Sequence, residues 1–401
     1  MANDLIDNQM KEYLDKRALV GGALSIRKNG EVVYRNKWGY KDIKKKVPIE
    51  YDSIYYLMSM TKCITAAAVL KLIEEGRIGL EDEVSKYIPY FKHMRVSVDP
   101  KYNVFDKDLT KISLIWKGLT FNKDKVKTVA AEREIRIRDL LSHASGLQEG
   151  LVGMIQYYKT KPSDDTLGER VKYYSEYILD FQPGSKALYS PIAGFDILGY
   201  IVEKVSGIGF GEYLKKYIFD PLEMEDTTFY LNNNQAKRLA TVYKIKGRRF
   251  VNIAGTKNDL NKMLHIKNKI YESGSAGLYG TLDDYDQFVQ MLCDEGQYNN
   301  KIWILKPETV KLMHTEAQEL HLELMPGLTW GLGVIIRMDP KRAGSLAYEG
   351  TYGWSGHYGT HFFIWPEGKL TAVFMTNGII GGAGSYILKK LEDLIFTIYA
   401  N

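Results

Sequence analysis

The chain has 401 residues, enough to bury a large core in one large domain or in two closely joined lobes. Its hydrophobic content of 45% and charged content of 26% are ordinary for a soluble globular protein, and a net charge of +5 without a long basic run argues against a nucleic-acid partner. Two cysteines cannot form a disulfide framework, and Cys and His pairs at zinc-finger spacing are absent, so we predict no metal and no cofactor.

The first elements predicted along the chain are one helix and two strands. Residues 1–17 are polar and amphipathic and lack a signal peptide, which predicts a cytoplasmic location. No apolar run reaches ~18 residues, so we predict no transmembrane segment. Strands at 23–27 and 32–38 flank Asn29-Gly30, a dipeptide typical of hairpin turns.

The spacing Ser-x-x-Lys occurs twice, as Ser25 with Lys28 and as Ser59 with Lys62. The first copy lies in a predicted strand, where residues three apart point to opposite faces and cannot cooperate. The second copy begins an apolar helical stretch, where residues three apart share a face. An amine beside a hydroxyl at the positive end of a helix is how a serine becomes a reactive nucleophile. We therefore predict that Ser59 is the nucleophile.

The middle of the chain has mainly helical patterns, at 65–75, 137–141, 195–205, 210–218 and 282–293. A polar insertion at 100–129 is either a surface excursion or a lid over a cleft, and the sequence favours neither. His143 lies at the end of the short helical pattern, where we expect a buried, hydrogen-bonded structural histidine. The sequence gives no indication of the oligomeric state.

Two further segments carry polar or flexible groups suited to a site. Tyr189-Ser190-Pro191 follows a Gln-Pro-Gly turn, and a tyrosine there serves as a base only beside a cation such as Lys62. The stretch 353–359 reads Gly-Trp-Ser-Gly-His-Tyr-Gly, whose glycines let the backbone approach a ligand closely. On the bare sequence both have plainer interpretations, as a structural tyrosine and a glycine-rich turn.

The last 75 residues are strand-like again, at 330–337, 346–349, 361–365 and 370–375, before a terminal helix at 385–400. Strands at both ends around a helical middle predict an α+β fold: a single domain of two lobes. An antiparallel sheet with flanking helices comes from 1–58 and 295–401, and a mostly helical lobe from 59–294. The active site would lie between the lobes, where Trp330 at the first of these strands would line or support the cleft.

Together, Ser59-x-x-Lys62, Tyr189-Ser190-Pro191 and Trp354-Ser355-Gly356 resemble the three motifs of the serine β-lactamase and penicillin-binding-protein superfamily. The similarity runs from about Gly21 to Thr376 and is greatest with the branch of class C β-lactamases, esterases and D-Ala-D-Ala peptidases. Three flanking stretches agree with it: 138–147, 220–224 and 274–278.

The resemblance implies the β-lactamase/transpeptidase fold and an acyl-enzyme formed on Ser59. Lys62 and Tyr189 would share the acid and base roles, and the backbone N–H groups of Ser59 and His357 would form the oxyanion hole. The implied substrate is a small ester or amide. The residues implied to contact it are Trp354, Ser355, Gly356, Pro191 and Tyr358.

Two positions depart from the pattern. Pro191 replaces an amide side chain that helps to bind a β-lactam or peptide, and Trp354 replaces the cation that would hold a substrate carboxylate. Trp354 with a small neighbour resembles the β-lactamase-like carboxylesterases and statin side-chain acyltransferases. We therefore expect a serine carboxylesterase for small or medium esters, with or without acyl transfer. The alternatives are a DD-peptidase or weak class C-type β-lactamase, and a non-catalytic sensor or binding domain.

Overall fold

Both ends of the chain contribute strands to one central antiparallel sheet. The computed structural model describes residues 2–102, 116–159, 166–256, 259, 271–299, 301–318, 322–381 and 384–400. The strands are β1 (Gly21–Lys28), β2 (Glu31–Asp42), β3 (Val47–Pro48), β4 (Tyr55–Tyr56), β5 (Arg95–Ser97), β6 (Thr128–Ala130), β7 (Tyr243–Lys246), β8 (Arg249–Asn252), β9 (Tyr279–Gly280), β10 (Gln297–Tyr298), β11 (Ile302–Trp303), β12 (Glu323–Met325), β13 (Leu328–Trp330), β14 (Ile335–Arg337), β15 (Tyr352–Ser355), β16 (His361–Trp365), β17 (Leu370–Thr376) and β18 (Gly378–Ile379). Within the described residues the central sheet has nine strands, in the order β12-β13-β14-β15-β16-β17-β1-β2-β3.

Helices occupy most of the segment between the N-terminal and C-terminal strands and also flank the sheet at each end of the chain. They are α1 (Ala2–Asp15), α2 (Thr61–Glu74), α3 (Ile137–Leu141), α4 (Leu151–Lys159), α5 (Leu167–Tyr174), α6 (Ala193–Ser206), α7 (Phe210–Leu214), α8 (Asn233–Arg238), α9 (Leu282–Cys293), α10 (Pro307–Met313) and α11 (Tyr386–Tyr399). A wider helical turn, Lys215–Phe219, continues α7, and a short helical stretch covers residues 116–119. The α+β class predicted from the sequence is confirmed. No helix in the described part of the chain is both long and apolar enough to cross a membrane.

The two faces of the sheet are covered by different helices, so the protein has two main cores. Side chains alternate along a strand, and in β16 Phe362 faces one core while Phe363 faces the other. The larger core includes residues of α2, α6 and α9. The smaller core packs α1 and α11 against the opposite face. Strand β1 is therefore buried on both sides over most of its length.

The sequence predictions for the first hairpin, for α9 and for β16 are confirmed within a few residues. Two predictions nearer the C-terminus are wrong. The strand predicted at 330–337 is divided into β13 and β14, which pair with each other. Gly333 lies between them with φ +84°, and a Cβ there would lie 2.6 Å from the Ala66 Cβ, so glycine allows the turn to approach α2.

The strand predicted at 346–349 is also absent. The Leu346 N–H donates to the Asp393 carboxylate of α11 (2.9 Å), and the Tyr348 ring stacks on Trp365. These contacts replace pairing with a neighbouring strand. Of the residues 346–349, only Ala347 is buried, in the smaller core, and the Leu346 and Tyr348 side chains stay exposed.

The proposed division into lobes stays a prediction, and α9, placed in the helical lobe by that division, packs against β17, β16 and β1 of the sheet. The central part of the predicted lid, residues 103–115 of 100–129, lies outside the described residues. Its two ends are held by pairing between β5 and β6 and by a small core that includes Tyr102 and Phe121.

Candidate active site

Ser59 lies in a short 3-10 turn, Met58–Met60, immediately before α2. The sequence placed Ser59 at the start of the helix, and the helix in fact begins two residues later. Met58 has φ +50°, a left-handed conformation that is unfavourable for a side chain with a Cβ. This strained turn holds the Ser59 hydroxyl near the positive end of the α2 dipole, which favours negative charge on its oxygen.

Lys62, in the first turn of α2, is buried with 1% of its surface exposed. Its Nζ lies 3.3 Å from Ser59 Oγ, 2.7 Å from the Pro191 carbonyl oxygen and 2.9 Å from the Ser275 carbonyl oxygen. An ammonium has three donors and no acceptor, so these three oxygens match the charged form of the side chain. The buried Lys62 ammonium therefore donates to oxygens of three separate segments, which offsets the loss of its hydration.

Tyr189 completes the cluster. Its Oη lies 2.5 Å from Ser59 Oγ, and Lys62 Nζ lies 5.0 Å from the centre of its ring. The structure thus brings together the three side chains that the sequence predicts to be catalytic. A phenol and an ammonium that both contact one serine hydroxyl can pass a proton and stabilise a developing negative charge.

His143 holds the loop that carries Tyr189. Its carbonyl oxygen accepts from the Leu188 N–H (3.0 Å) and its Nδ1 accepts from the Ser190 N–H (3.1 Å), one residue on each side of Tyr189. Burial, and then the nearby Lys62 charge, hold the pKa of His143 well below its usual value. The structure thus buries and hydrogen-bonds His143, as the sequence predicts, and the lowered pKa favours its neutral form.

Aromatic rings line one side of Tyr189. The Trp354 ring lies 5.2 Å from the Tyr189 ring and 4.9 Å from the Trp330 ring, measured between centres. Trp330 also stacks on Tyr189 at 6.1 Å, with an interplanar angle of 12°. The predicted placement of Trp330 beside the cleft agrees with these contacts. A nonpolar surface therefore stands where the family pattern has a cation.

The end of β15 lies against the turn that carries Ser59. A Cβ on Gly356 would lie 2.5 Å from the Leu57 carbonyl oxygen, so only glycine permits this approach. Thr360 Oγ1 donates to the same carbonyl oxygen (3.3 Å). Among the described residues, the backbone N–H groups of Ser59 and His357 have no hydrogen-bond partner. Both groups are therefore free to donate to a ligand.

Two residues predicted to contact substrate are engaged elsewhere. Ser355 points to the opposite face of the sheet, where its Oγ lies 2.8 Å from His361 Nδ1, and His361 Nε2 lies 2.7 Å from Glu392 of α11. Tyr358 is 1% exposed, and its hydroxyl donates to Asp259 (2.7 Å). The prediction that these side chains contact substrate is therefore corrected. Ser355 faces away because side chains alternate along a strand, and the hydroxyl of Tyr358 is out of reach because its ring is buried.

Sequence reasoning missed the parts of the site that act through backbone groups or through distant loops. The Ser275 carbonyl gives no side-chain signal, although its segment was noted for its resemblance to the family. Pro191 contributes its carbonyl oxygen as an acceptor for Lys62. Gln148 Oε1 accepts from the N–H groups of Ile192 (3.2 Å) and Ala193 (2.7 Å), and so fixes the start of α6 just after the Tyr189 loop.

Comparisons with known proteins agree with this architecture. The model of the Beta-lactamase family matches residues 5–383. Protein Rv1367c of Mycobacterium tuberculosis (strain ATCC 25618 / H37Rv) is 27% identical over 380 residues, covering 91% of this chain and 88% of that protein. Esterase EstB of Burkholderia gladioli is 24% identical over 412 residues, covering 98% and 94% respectively.

Solved structures show the same similarity. EstCE1, described as a hydrolase with promiscuous acyltransferase activity, superposes with a TM-score of 0.80 at 25% identity, covering 98% of each chain. Simvastatin synthase (LovD) from Aspergillus terreus superposes with a TM-score of 0.77 at 19% identity, covering 100% of this chain and 99% of that one, which shows a shared fold. The chain belongs to the Beta-lactamase family and is a serine hydrolase of the β-lactamase fold.

Proposed function

We propose that this protein is a carboxylesterase that forms an acyl-enzyme on Ser59 from small or medium neutral esters and passes the acyl group to water or to an alcohol. The contact of Ser59 Oγ with Tyr189 Oη at 2.5 Å, beside Lys62 Nζ at 3.3 Å, carries this proposal. These three groups can activate a serine without a histidine base.

In the first step Ser59 Oγ bonds to the ester carbonyl carbon, and its proton passes to Tyr189 Oη of the Tyr189–Lys62 pair. Tyr189 accepts the proton as a phenolate, because the Lys62 ammonium has no lone pair to offer and acts by its charge. The carbonyl oxygen becomes an oxyanion, for which the free N–H groups of Ser59 and His357 are the proposed donors. The tetrahedral intermediate then breaks its bond to the alkoxide, which leaves with the proton from the same pair. A water or alcohol then gives a proton to the same pair and attacks the carbonyl carbon of the acyl-enzyme. Ser59 Oγ leaves that carbon and takes the proton back, which frees the enzyme.

The surroundings of Tyr189 favour a neutral acyl or alcohol group. Trp354 packs on Tyr189 at the position where a cation would pair with a substrate carboxylate. Pro191 offers only its carbonyl oxygen, which Lys62 already occupies. The names of the relatives EstB and EstCE1 point to the same activity for this chain.

The deciding experiment compares p-nitrophenyl esters of increasing acyl length with nitrocefin, a β-lactam. We expect turnover of short and medium esters, little or no nitrocefin hydrolysis, and a mass increase on Ser59 when an ester is added and the reaction is quenched. The Ser59→Ala variant is the control. Ester turnover that persists in this variant would refute the proposed nucleophile.

A second candidate is a DD-peptidase with weak β-lactamase activity. It is favoured by a relative in Escherichia coli (strain K12) named a putative D-alanyl-D-alanine carboxypeptidase, which is 27% identical over 400 residues. Strong nitrocefin turnover, or release of D-alanine from a D-Ala-D-Ala peptide without ester turnover, would place this candidate first.

A further inference from the structure

Asp196 lies in the first turn of α6, the helix that follows the Tyr189 loop, and none of its surface is exposed. The proposed reaction gives it no role, although a carboxylate buried away from water is unfavourable unless its oxygens are hydrogen-bonded. Burial raises the pKa of Asp196, and hydrogen bonds from Tyr271 and Ser273 together with the charge of Arg170 oppose that rise. These partners therefore make a buried carboxylate tolerable at this position.

Both carboxylate oxygens of Asp196 accept hydrogen bonds. Its Oδ1 accepts from Ser273 Oγ (2.7 Å) and from the Ser275 N–H (3.2 Å). Its Oδ2 accepts from the hydroxyl of Tyr174 (3.1 Å) and from that of Tyr271. Four donors match the ionised form of the side chain, because an ionised carboxyl only accepts whereas a protonated one gives up an acceptor position to its own proton.

The segment 273–275 is held from two sides. On the α6 side lies the carboxylate just described. On the α2 side, Thr65 Oγ1 donates to the Gly274 carbonyl oxygen (2.7 Å). The Ser275 hydroxyl in turn donates to the carbonyl oxygen of Ile192, the residue before α6 begins. Because its N–H, its hydroxyl and the carbonyl group before it are all bonded, Ser275 is held in one orientation.

This orientation matters because the Ser275 carbonyl oxygen is one of the three acceptors of Lys62 Nζ, at 2.9 Å. The other two acceptors are Ser59 Oγ and the Pro191 carbonyl oxygen. All three are neutral groups, so the direction of the ammonium depends on where these oxygens lie. The Asp196 carboxylate is therefore connected to Lys62 through a single residue, Ser275.

A buried positive charge supports the ionised form of Asp196. The guanidinium carbon of Arg170, in α5, lies 4.1 Å from the centre of the Tyr271 ring, whose hydroxyl donates to Asp196. Arg170 is 2% exposed, so water screens its charge poorly. An ionised carboxylate is a stronger acceptor than a neutral one, and the bond from the Ser275 N–H is strengthened accordingly.

We propose that Asp196 is a positioning residue for the reaction at Ser59. It holds Ser275 so that the carbonyl oxygen of that residue directs the Lys62 ammonium toward Ser59 Oγ. The inference rests on the proposed function in taking Ser59 as the nucleophile, and it adds a residue that touches neither substrate nor Ser59. Without the carboxylate the Ser275 carbonyl group would shift, and a displacement of about 1 Å at a reacting group slows a reaction about 10²-fold.

The rate of covalent labelling at Ser59 tests the proposal in the full chain without an ester substrate. The reagent is a fluorophosphonate, whose phosphorus bonds to Ser59 Oγ as fluoride leaves. Mass spectrometry follows the labelled fraction with time, and each curve is scaled to its own endpoint so that the rate constant describes active molecules only. A variant that is merely less stable lowers the endpoint and keeps the rate constant, whereas loss of positioning lowers the rate constant.

Two variants disturb the carboxylate and one of its donors. Asp196→Asn removes the charge and leaves one acceptor oxygen in place of two, so it should slow labelling at least about tenfold. Ser273→Ala removes one donor to Oδ1 and should slow labelling about threefold.

Each variant has a matched control that should label at the unmodified rate. Asp284→Asn is the first, since Asp284 Oδ2 also accepts from a hydroxyl (2.7 Å) and from a backbone N–H (2.9 Å) but lies in α9. Ser25→Ala is the second, since Ser25 Oγ also donates to a buried aspartate, Asp286 (3.2 Å).

The Lys62→Met background shows whether Asp196 acts through Lys62. Asp196→Asn added to Lys62→Met should slow labelling no further, because the group that Asp196 directs is already gone. Equal slowing in both backgrounds would overturn the proposal, and so would unmodified rates in Asp196→Asn and Ser273→Ala. Where Asp196→Asn fails to fold, Ser273→Ala decides in the same two backgrounds.

The outcome is separate from that of the esterase test. Labelling of Ser59 in a protein that turns over no ester would contradict the proposed esterase and leave the role of Asp196 to be decided by the variants above. Absence of labelling at Ser59 would overturn both proposals.

Discussion

The two Ser-x-x-Lys copies of this chain have opposite surroundings although they share a spacing. Ser59 and Lys62 lie on the turn before α2 and in its first turn, and their polar atoms are 3.3 Å apart. Ser25 and Lys28 lie in β1, where Ser25 bonds to Asp286 and the Lys28 ammonium lies 5.3 Å from the Trp365 ring on the other face of the sheet. The backbone geometry between the two residues decides whether they meet.

A catalytic Ser-x-x-Lys spacing therefore needs both a helix and suitable hydrogen-bond acceptors around the lysine amine. Lys62 is buried and holds three oxygens, two of them from the segments of Pro191 and Ser275. Lys28 is only partly buried and rests on an aromatic ring. Four sets of variants test this difference between the two copies.

The largest effect is expected for the two serines. Ser59→Ala should lower kcat/KM for p-nitrophenyl acetate by ~10⁴ or more, as removal of a nucleophile does. Ser25→Ala should leave kcat/KM unchanged and lower the free energy of unfolding by about 1 kcal/mol, the usual value of one lost hydrogen bond. A comparable loss of activity in both variants would contradict the assignment of roles.

Substitution of the two lysines should likewise slow the reaction at Lys62 but not at Lys28. Lys62→Met should slow acylation in single-turnover measurements by ~10³, since the positioned ammonium and its charge are lost. Lys28→Met should acylate at the unmodified rate. Circular dichroism spectra check that both variants are folded, and near-normal acylation by folded Lys62→Met would disprove the proton relay.

Tyr189 and Tyr358 provide a third pair. Tyr189→Phe removes the hydroxyl beside Ser59 and should cut acylation by ~10². Tyr358→Phe removes a hydroxyl that bonds to Asp259 and should reduce stability by about 1 kcal/mol while kcat/KM is retained. If Tyr358→Phe instead raised KM for several esters, that residue would return to the substrate-contacting set.

The smallest change expected at the active site concerns His143, which holds the loop of Tyr189. Because the pKa of His143 is lowered by burial, the unfolded chain takes up a proton below about pH 6.5 that the native protein does not. This makes the native state less stable as the pH falls, by about 1.4 kcal/mol at about pH 5.5.

Urea unfolding at about pH 7.5 and about pH 5.5 measures this loss. In His143→Asn the difference between the two pH values should be smaller, since asparagine accepts the Ser190 N–H, tolerates the left-handed backbone and does not titrate. His93→Asn, at an exposed position, should keep the full difference in unfolding free energy between the two pH values. If this difference in unfolding free energy stayed the same in His143→Asn, His143 would be protonated in the native state at the lower pH.

Local patterns in the sequence predicted a large part of the fold. The Asn29-Gly30 turn with its flanking strands, the amphipathic run of α9 and the alternation of β16 all follow from near neighbours in the chain. The break at Gly333 could not be read in this way, because it depends on how closely α2 approaches. The same holds for Leu346, whose N–H bonds to a helix almost fifty residues later.

Periodicity within a few residues was enough to predict which serine begins a helix and which lies in a strand. The acceptors of Lys62 on Pro191 and Ser275, and the contact of Ser355 with His361 on the opposite face of the sheet, became visible only in the folded chain. These contacts join segments far apart in the chain, and backbone carbonyls carry no residue-type signal. Their geometry is therefore fixed by packing rather than by local pattern.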